Sequence, residues 1–393
     1  MSGEPIPHEQ RVTELVSAFE REYGRPPQGI AEAPGRVNLI GEHVDYNDGL
    51  VLPLAIDRTL MCAWTRSSNY EGISLRSLDK WFEGGASEAV PGGWADYTVG
   101  VEEQLTKLGY GLLGFRGDIS GNVPPRAGLS SSAALEVAVA GAFRDAFTLP
   151  IGDVDLALLC QRAENEFVGV QCGIMDQFAS TLSRAGHALL LDCRSLAYEH
   201  VPLRLDEAGL SIVIADSAVA RELASSAYND RRRECDEALA ELRTRLGRPS
   251  LASLRDVSGD EMRSVAVDSV PMRRARHVVG EIARVREAVD ALRRDDFGRF
   301  GELMRASHAS LRDDYEVSSP QLDRLVELAS AQPYVLGSRL TGAGFGGCTV
   351  SLVRTDAIDA FERDVLEPYR RETGLPAKMY VTSACNGLRI WRM

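Results

Sequence analysis

Apolar positions along this chain recur mainly with the spacing of an amphipathic helix. Val12, Leu15, Val16, Phe19 and Tyr23 fall on one face of a helix, and Gly24 comes next, which predicts a helix that ends there. The same spacing predicts further helices over residues 130–147, 153–168, 222–246, 273–294, 296–311, 320–331 and 356–373.

Shorter apolar or alternating runs predict strands between these helices. They cover part of 33–56, and then 59–79, 117–122, 187–192, 210–216, 348–353 and 378–383. Strands and helices intermix without a regular strand–helix–strand repeat, so we predict an α+β fold rather than a doubly wound parallel sheet. We place a domain boundary near residue 205, which gives an N-terminal domain of residues 1–205 and a C-terminal domain of residues 206–393.

The bulk composition narrows the class of protein. With 393 residues, 44% of them hydrophobic, the chain is long enough for two or more domains with large cores. A formal net charge of −13 argues against a nucleic-acid-binding protein, since those present basic surfaces. No apolar run approaches the roughly 20 residues of a membrane-spanning helix, and the N-terminus shows no signal-peptide pattern.

The seven cysteines have no pair at CxxC spacing. A structural zinc site or a disulfide framework is therefore not expected, and the pattern fits a reducing compartment. We predict a cytoplasmic protein.

Three consecutive serines open the predicted helix that starts near residue 130, in the run Gly128-Leu129-Ser130-Ser131-Ser132. The first amide groups of a helix have no partner within it, and its dipole favours an anion at that end. Three hydroxyls add donors for phosphate oxygens and one possible oxygen ligand for Mg²⁺. The alternative is an ordinary serine N-cap.

A glycine-rich run at residues 342–347 matches the pattern GxGxxG. A strand rather than a helix is predicted after it, so we reject a dinucleotide-binding site and predict a tight turn. Such a turn lets the backbone approach a ligand, or serves packing alone. No GxxxxGK[ST] phosphate-binding loop occurs in the chain.

Polar residues are concentrated in the run of residues 35–49. There Glu42, His43 and Asp45 offer groups that can accept hydrogen bonds from sugar hydroxyls, beside the apolar residues 50–56. Each residue taken alone is more typical of a solvated loop. Their clustering favours a ligand site.

Two further carboxylates lie in apolar surroundings. Asp176 is inside an apolar segment and needs a partner, since burial otherwise raises the pKa of a carboxyl. An arginine would keep Asp176 ionised and able to accept a hydroxyl proton. The alternative is that Asp176 braces a turn. Glu164 lies four residues after Cys160 and three before Phe167, at the edge of the apolar helix face. A cation is expected beside it, either Mg²⁺ with ATP or an arginine.

Together these segments resemble the galactokinases of the GHMP small-molecule kinase family. Residues 34–47 are similar to the galactokinase signature, 128–133 to the family's phosphate loop, and 340–348 to its third, glycine-rich motif. The resemblance continues through 163–178, 226–233 and 302–316, and so spans most of the chain. The first motif is specific to galactokinase-like members, and the other two mark the wider family.

The resemblance implies a two-domain GHMP kinase-like α+β fold with the active site in the interdomain cleft. It implies transfer of the γ-phosphate of ATP to the anomeric hydroxyl of galactose, with Mg²⁺ as cofactor and the sugar and ATP as the partners of a monomer. A kinase for N-acetylgalactosamine or arabinose is an alternative. Another is a sugar sensor without catalysis, although such regulators have a disrupted serine loop and residues 130–134 here are uninterrupted.

The resemblance also implies roles for single residues. Asp176 matches the catalytic base and Arg36 the group that stabilises the transition state. The positions that match sugar contacts are Glu42, His43, Val44, Asp45 and Tyr228. Those that match Mg²⁺ ligands are Ser132 and Glu164. Those that match nucleotide contacts are Ser77, Arg126, Ala127, Gly128, Leu129, Ser130, Ser131 and Ser132. Arg126 stands where the family usually has glycine, and its side chain either touches phosphate or points to solvent.

Overall fold

The first part of the fold is a mixed sheet with helices on both faces. The computed structural model describes residues 6–67, 72–77, 80–84, 93–125, 127–219, 224–265 and 267–393. The strands of this sheet are β1 (Gly29–Asn38), β3 (Pro53–Arg66), β4 (Ile73–Ser77), β5 (Lys80–Gly84), β6 (Phe115–Gly121) and β13 (Arg389–Arg392). Their order is β13-β1-β3-β6-β4-β5, and the β4–β6 pair is parallel while the other pairs are antiparallel.

Side chains of β1 and β3 alternate between the two faces of this sheet, as the pleat requires. Ile30 and Met61 pack against helix α1 (His8–Tyr23), while Ala31 and Cys62 belong to the core beneath helix α3 (Ser131–Ala146). On the α3 side lie three more helices, α2 (Asp96–Lys107), α4 (Asp153–Arg162) and α5 (Met175–Leu182). Every residue of β1 is consequently buried.

A second, four-stranded sheet forms the other part of the fold. It contains β9 (Leu210–Asp216), β10 (Val335–Thr341), β11 (Cys348–Arg354) and β12 (Lys378–Thr382), in the antiparallel order β10-β11-β9-β12. A small sheet contains β2 (Leu50–Val51), β7 (His187–Asp192) and β8 (Tyr198–Pro202); β2 comes between β1 and β3 in sequence, and the other two strands come between β6 and β9.

The remaining helices lie in the second half of the chain. They are α6 (Ala224–Arg245), α7 (Gly259–Ser264), α8 (Val270–Arg293), α9 (Phe297–Asp313), α10 (Pro320–Ser330), α11 (Ile358–Phe361) and α12 (Glu367–Thr373). Four of them, α7 to α10, begin after an N-cap residue whose side chain accepts a backbone N–H of the first turn. These residues are Ser258, Ser269, Asp296 and Ser319. No helix in the described part of the chain is long and apolar enough to cross a bilayer.

One hydrophobic core joins the two sheets. It contains Val37 and Leu54 from the first sheet, Leu129 from the loop before α3, and Ile214 and Val350 from the second sheet, all with no exposed surface. Burial of this kind stabilises by about 25 cal/mol for each Å² of apolar surface removed from water. The strands that carry residues of the candidate site are therefore rigidly supported from both sides.

Most of the predicted elements are present in the structure. The strands at 187–192 and 210–216 and the helices α1, α3, α6, α8, α9 and α10 are confirmed, as is the mixed α+β class. The boundary near 205 falls between β8 and β9 and stays a prediction. The last strand, β13, returns to the first sheet beside β1, so the chain beyond 205 contributes to both sheets.

One expectation was wrong in detail. The helix expected over 153–168 changes after Arg162 into a π-helical turn, Ala163–Val168. The described residues of the 59–79 stretch belong to two strands, β3 and β4, and the last strand, β13, was not predicted.

Two glycines in neighbouring helices provide a test of this packing. A Cβ at Gly301 in α9 would lie 2.0 Å from the backbone oxygen of Leu336, whereas a Cβ at Gly280 in α8 would meet only the flexible end of Arg284. We expect Gly301→Ala to lower the free energy of unfolding by about 1–3 kcal/mol through overpacking. Gly280→Ala should raise it by about 0.4–1 kcal/mol by restricting the unfolded chain. Urea denaturation measures both, and equal shifts would contradict the close contact of α9 with β10.

Candidate active site

The loop before α3 enters the helix through two residues with left-handed backbone conformations. Gly128 (φ +83°) and Ser130 (φ +58°) both have left-handed conformations, and α3 begins at Ser131. The backbone oxygen of Leu129 accepts a hydrogen bond from Arg36 N at 3.1 Å. A Cβ at Gly35 would lie 2.5 Å from that oxygen, so this close approach of the loop to β1 requires glycine there. Arg126 lies outside the described residues.

Ser130 occupies the N-cap position of α3, yet its side chain does not cap the helix. Its hydroxyl hydrogen-bonds the Oδ2 atom of Asp176 instead. The alternative of an ordinary serine N-cap at Ser130 is therefore wrong. The amide groups of the first turn receive no hydrogen bond from the cap residue and remain directed at the space before the helix, where an anion is favoured.

Arg36 and Asp176 form a two-pronged ion pair next to this loop. Arg36 Nε lies 2.7 Å from Asp176 Oδ1, and Arg36 Nη2 lies 2.8 Å from Oδ2. The third nitrogen, Nη1, donates to the backbone oxygen of Gly128 at 2.7 Å. Arg36 is 5% exposed. The predicted arginine partner of Asp176 is thus present, and the same guanidinium holds the loop.

The loop between β1 and β2 is tied to the glycine-rich turn that follows β10. Glu42, 2% exposed, accepts a hydrogen bond from Gly342 N at 2.6 Å and one from the hydroxyl of Thr341 at 3.2 Å. Arg339 Nη2 lies 3.6 Å from the same carboxylate. Burial raises the pKa of Glu42, while Arg339 and Arg36 oppose that rise.

His43 stands in a left-handed backbone conformation (φ +60°) at the start of an aromatic cluster. Its Nε2 lies 3.1 Å from the backbone oxygen of Ala343, and its Nδ1 lies 2.8 Å from the hydroxyl of Tyr46. A carbonyl oxygen only accepts, so in the neutral ring Nε2 donates and Nδ1 accepts from Tyr46. This arrangement fixes one tautomer of the ring.

The aromatic cluster continues into the second half of the chain. The hydroxyls of Tyr46 and Tyr315 are 2.7 Å apart, and Cys235 Sγ lies 3.2 Å from the hydroxyl of Tyr315. The ring of Tyr228, from α6, is centred 5.5 Å from that of His43 and 5.2 Å from that of Tyr46. Tyr228 and His43, far apart in sequence, are thereby brought together as the resemblance implied.

Asp45 begins a short 3₁₀ turn, Asp45–Asn47, next to the segment that carries Asp176. Backbone N–H groups of Tyr46 and Met175 donate to its carboxylate. A Cβ on Gly173 would lie 1.8 Å from Asp45 Oδ2, so only glycine permits this contact. Burial raises the pKa of Asp45 to about 7, and the charges of Asp176 and Glu42 add to the rise.

Glu164 lies in the π-helical turn after α4 and faces the start of α3. Gln177 Nε2 donates to its Oε2 atom at 2.8 Å, and the side chain of Ser132 also hydrogen-bonds the carboxylate. Burial, and after it the charge of Asp176, raise the pKa of Glu164 to about 7. Among the described residues no arginine lies within ion-pair distance of Glu164, so the expected arginine pair is not found.

A second buried carboxylate, Glu136 of α3, lies near Glu164. It is fully buried, and its Oε1 atom has no hydrogen-bond partner among the described residues. Burial and the charge of Glu164 raise its pKa well above the ordinary value. Carboxylate oxygens that converge without a basic partner suit a hard divalent cation. Within the described ranges, however, no three His, Cys, Asp or Glu side chains form a group that could hold a metal ion by themselves.

Three family models match parts of this chain. Residues 17–66 match the model described as the galactokinase galactose-binding signature, 88–184 the N-terminal domain of GHMP kinases, and 288–371 their C-terminal domain. The chain is 48% identical over 380 residues to the galactokinase of Roseiflexus sp. (strain RS-1), covering 95% of this chain and 96% of that one. It is 44% identical to the galactokinase of Chloroflexus aurantiacus, covering 95% and 96%. The chain belongs to the galactokinase family.

Solved structures agree with this family assignment. The match to the crystal structure of Lactococcus lactis galactokinase complexed with galactose covers 96% of this chain and 99% of the Lactococcus chain, with a TM-score of 0.91 and 37% identity. A mevalonate kinase structure, at 21% identity and a TM-score of 0.63, shares the fold. The expected family, the GHMP kinase fold and the class of ATP-dependent sugar kinase are thereby confirmed.

Ser77 ends β4, three strands from β1, or about 14 Å at the usual strand spacing of about 4.8 Å, and its nucleotide contact stays a prediction. In the 342–347 turn, close packing requires glycine at one position at least, because a Cβ at Gly344 would lie 2.1 Å from the backbone oxygen of Val317. A strand follows the turn, as expected.

Sequence reasoning missed Glu136 and Gln177. Glu136 follows Ser132 by four positions and therefore lies on the same face of α3, a spacing that could have drawn attention to it. Gln177 directly follows Asp176, and its role depends on contacts that sequence spacing does not reveal.

The raised pKa of Asp45 predicts a pH-dependent effect on stability. An unfolded Asp titrates near about 3.9, so between that value and about 7 the folded state binds more protons than the unfolded state, and stability falls as pH rises. Asp45→Asn should remove this contribution. We expect the free energy of unfolding of the variant, relative to wild type, to increase from about pH 4 to about pH 7, measured by urea denaturation.

Asp192→Asn is the control with opposite sign. Hydrogen bonds from Arg255, at 2.6 Å to each oxygen, hold the pKa of Asp192 well below its ordinary value. This carboxylate therefore stabilises the fold at neutral pH, and that contribution disappears as pH falls. Asp192→Asn should lower stability at neutral pH and have little effect at low pH. The same pH trend in both variants would contradict the assigned environments.

Proposed function

We propose that this chain transfers the γ-phosphate of ATP to the anomeric hydroxyl of galactose, giving galactose 1-phosphate and ADP. The observation that carries the proposal is the Arg36–Asp176 pair beside the uncapped start of α3. This pair brings an anion-binding helix terminus, a carboxylate and a buried guanidinium into one place. Similarity to galactokinases over 95% of the chain supports galactose as the acceptor.

Asp176 would orient the sugar hydroxyl and take its proton as the γ-phosphate is transferred. The hydrogen bonds from Arg36 and Ser130 support this role, because they hold the carboxylate in place beside the start of α3. Arg36 would also neutralise negative charge at the reacting end. Positioning in line and charge stabilisation are the main catalytic contributions available in phosphoryl transfer.

The phosphates of ATP would lie at the start of α3, against residues 127–132. The left-handed residues Gly128 and Ser130 turn the chain so that the N–H groups of the first helical turn point outwards. Ser131 and Ser132 add hydroxyl donors. We also propose that Arg126 and Ser77 contribute to nucleotide binding. The case for Ser77 is weaker, because Ser77 lies far from Arg36.

Ser132 and Glu164 would hold Mg²⁺. A hydroxyl and a carboxylate oxygen are ligands of the hard type that Mg²⁺ prefers, and it usually takes few protein ligands when phosphates supply the others. Their side chains already lie within hydrogen-bonding reach of each other. The bound ion would supply neutralisation of charge on the phosphate oxygens.

Galactose would bind on the side of the site formed by the loop between β1 and β2. We assign to it Glu42, His43, Val44, Asp45 and Tyr228. The fixed tautomer of His43, the contact of Asp45 with Gly173 and the ring of Tyr228 support a preformed pocket. Preformed hydrogen-bonding groups favour selection among sugars that differ by one hydroxyl.

We further propose a monomer that acts in the cytoplasm on these two small molecules and not on nucleic acid. All seven cysteines are free thiols, which is consistent with a reducing compartment. The net charge of −13 is unsuited to binding a polyanion.

Replacement of the proposed base tests the function. Asp176→Asn keeps the size of the side chain and its ability to accept from Arg36, but it removes the proton acceptor. We expect kcat to fall by a factor of about 10²–10⁴, with a small change in KM for galactose. The measurement is a coupled assay of ADP release with ATP and, in turn, galactose, N-acetylgalactosamine and arabinose.

Asp153→Asn is the matched control, since Asp153 pairs with Arg144 at the exposed start of α4. It should retain wild-type turnover. Near-wild-type turnover of Asp176→Asn would contradict the role of Asp176 as base. Faster phosphorylation of N-acetylgalactosamine or arabinose than of galactose would reassign the sugar, and sugar binding without any ADP release would identify a sensor.

A further inference from the structure

Gln177 makes a bridge between the two buried carboxylates near the start of α3. Its Nε2 atom lies 2.8 Å from Glu164 Oε2 and 3.1 Å from Glu136 Oε2. Gln177 and Glu136 are fully buried, and Glu164 is 7% exposed. The amide nitrogen carries two hydrogens, so it can donate one to each carboxylate.

The orientation of this amide is determined by the two acceptors. Gln177 Oε1 has no hydrogen-bond partner among the described residues. A flipped amide would place Oε1 against two carboxylate oxygens and lose both hydrogen bonds, so two ionised carboxylates require the orientation with Nε2 towards them.

The bridge connects three segments that carry residues of the proposed site. Glu136 follows Ser132 by one helical turn on α3, Glu164 lies in the π-helical turn after α4, and Gln177 directly follows Asp176 on α5. A further hydrogen bond to Glu164, from Cys172 Sγ at 3.4 Å, also goes to Oε2. The contacts of Gln177 and Cys172 therefore act on the same oxygen and fix the plane of the carboxylate.

We propose that Gln177, supported by Glu136, is a positioning residue that orients Glu164 for the divalent cation of the ATP complex. The inference rests on the proposed function and deepens it. Gln177 does not hold the cation; it fixes the carboxylate that does, and it ties that carboxylate to the helix of Asp176. Residues that orient a metal ligand in this way typically change metal affinity by 10–100-fold when they are replaced.

The test is the dependence of ADP affinity on Mg²⁺, measured on the full chain by isothermal titration calorimetry with saturating Mg²⁺ and with EDTA. The ratio of the two dissociation constants reports the cation site without any turnover. Gln177→Met keeps the length of the side chain and removes both donors. We expect it to reduce that ratio by on the order of 10-fold, with unchanged ADP affinity in EDTA. Gln177→Asn keeps a buried amide, but its side chain is one methylene too short to reach both carboxylates. It should reduce the ratio of dissociation constants to the same extent.

Ser180→Ala is the matched control on the same helix. Ser180 is fully buried and donates one hydrogen bond to the backbone oxygen of Pro34 at 2.7 Å, away from Glu164. It should lower the melting temperature and leave the Mg²⁺ ratio at the wild-type value. Equal losses of the ratio in Ser180→Ala and the Gln177 variants would overturn the inference in favour of a general structural effect.

Glu164→Ala separates the failure of this inference from that of the proposed cation site. Loss of the Mg²⁺ ratio in Glu164→Ala, together with a wild-type ratio in both Gln177 variants, would overturn the role of Gln177 and leave the cation site intact. No effect of Mg²⁺ on ADP affinity in the wild-type chain would overturn both.

Discussion

The guanidinium of Arg36 is the group on which the arrangement of the site depends. With 5% of its surface exposed, it binds both oxygens of Asp176 and the backbone oxygen of Gly128. A buried charge without partners is costly, and its pairing is favourable only when the geometry satisfies its donors. Here one planar group joins the carboxylate of α5 to the loop before α3, so neither segment can move without leaving that charge unsatisfied.

The second half of the chain determines the position of the sugar-side loop. Glu42 accepts from Gly342 N, His43 donates to the backbone oxygen of Ala343, and Arg339 donates to the backbone oxygen of Asn38 at 3.0 Å. These polar contacts lie beside the apolar core that joins the two sheets. The candidate site is thus built at a junction whose sides are held by both packing and buried hydrogen bonds.

Several elements could be predicted from the sequence because their local signals agree. Helix α1 has regular apolar spacing and ends at Gly24, which has a left-handed conformation (φ +70°). The strands β7 and β9 are short apolar runs that appear within the bounds expected. In contrast, β13 has four residues and pairs with β1, more than 350 positions earlier, and neither propensity nor periodicity contains that information.

In the candidate site, too, some residues could be predicted from the sequence and others could not. Glu164 was found because a carboxylate at the edge of an apolar helix face indicates a buried cation, and the pairing of Asp176 with an arginine followed from the cost of burying its charge. The family resemblance supplied the residue numbers for the sugar side. Gln177 was missed, since its importance comes from two contacts across three segments and not from its residue type. The displaced cap of α3 was missed too, because a serine at that position normally bonds its own helix.

A double-mutant cycle on the free energy of unfolding tests the coupling at Arg36 most directly. The three variants are Arg36→Met, Asp176→Leu, which removes both acceptor oxygens, and the double mutant, measured by urea denaturation at neutral pH. If the ion pair holds the two segments together, each single change leaves the remaining group without its partner. The double mutant should then lose less stability than the sum of the single changes, by about 0.5–3 kcal/mol. Additivity within about 0.5 kcal/mol would contradict the central role of this pair.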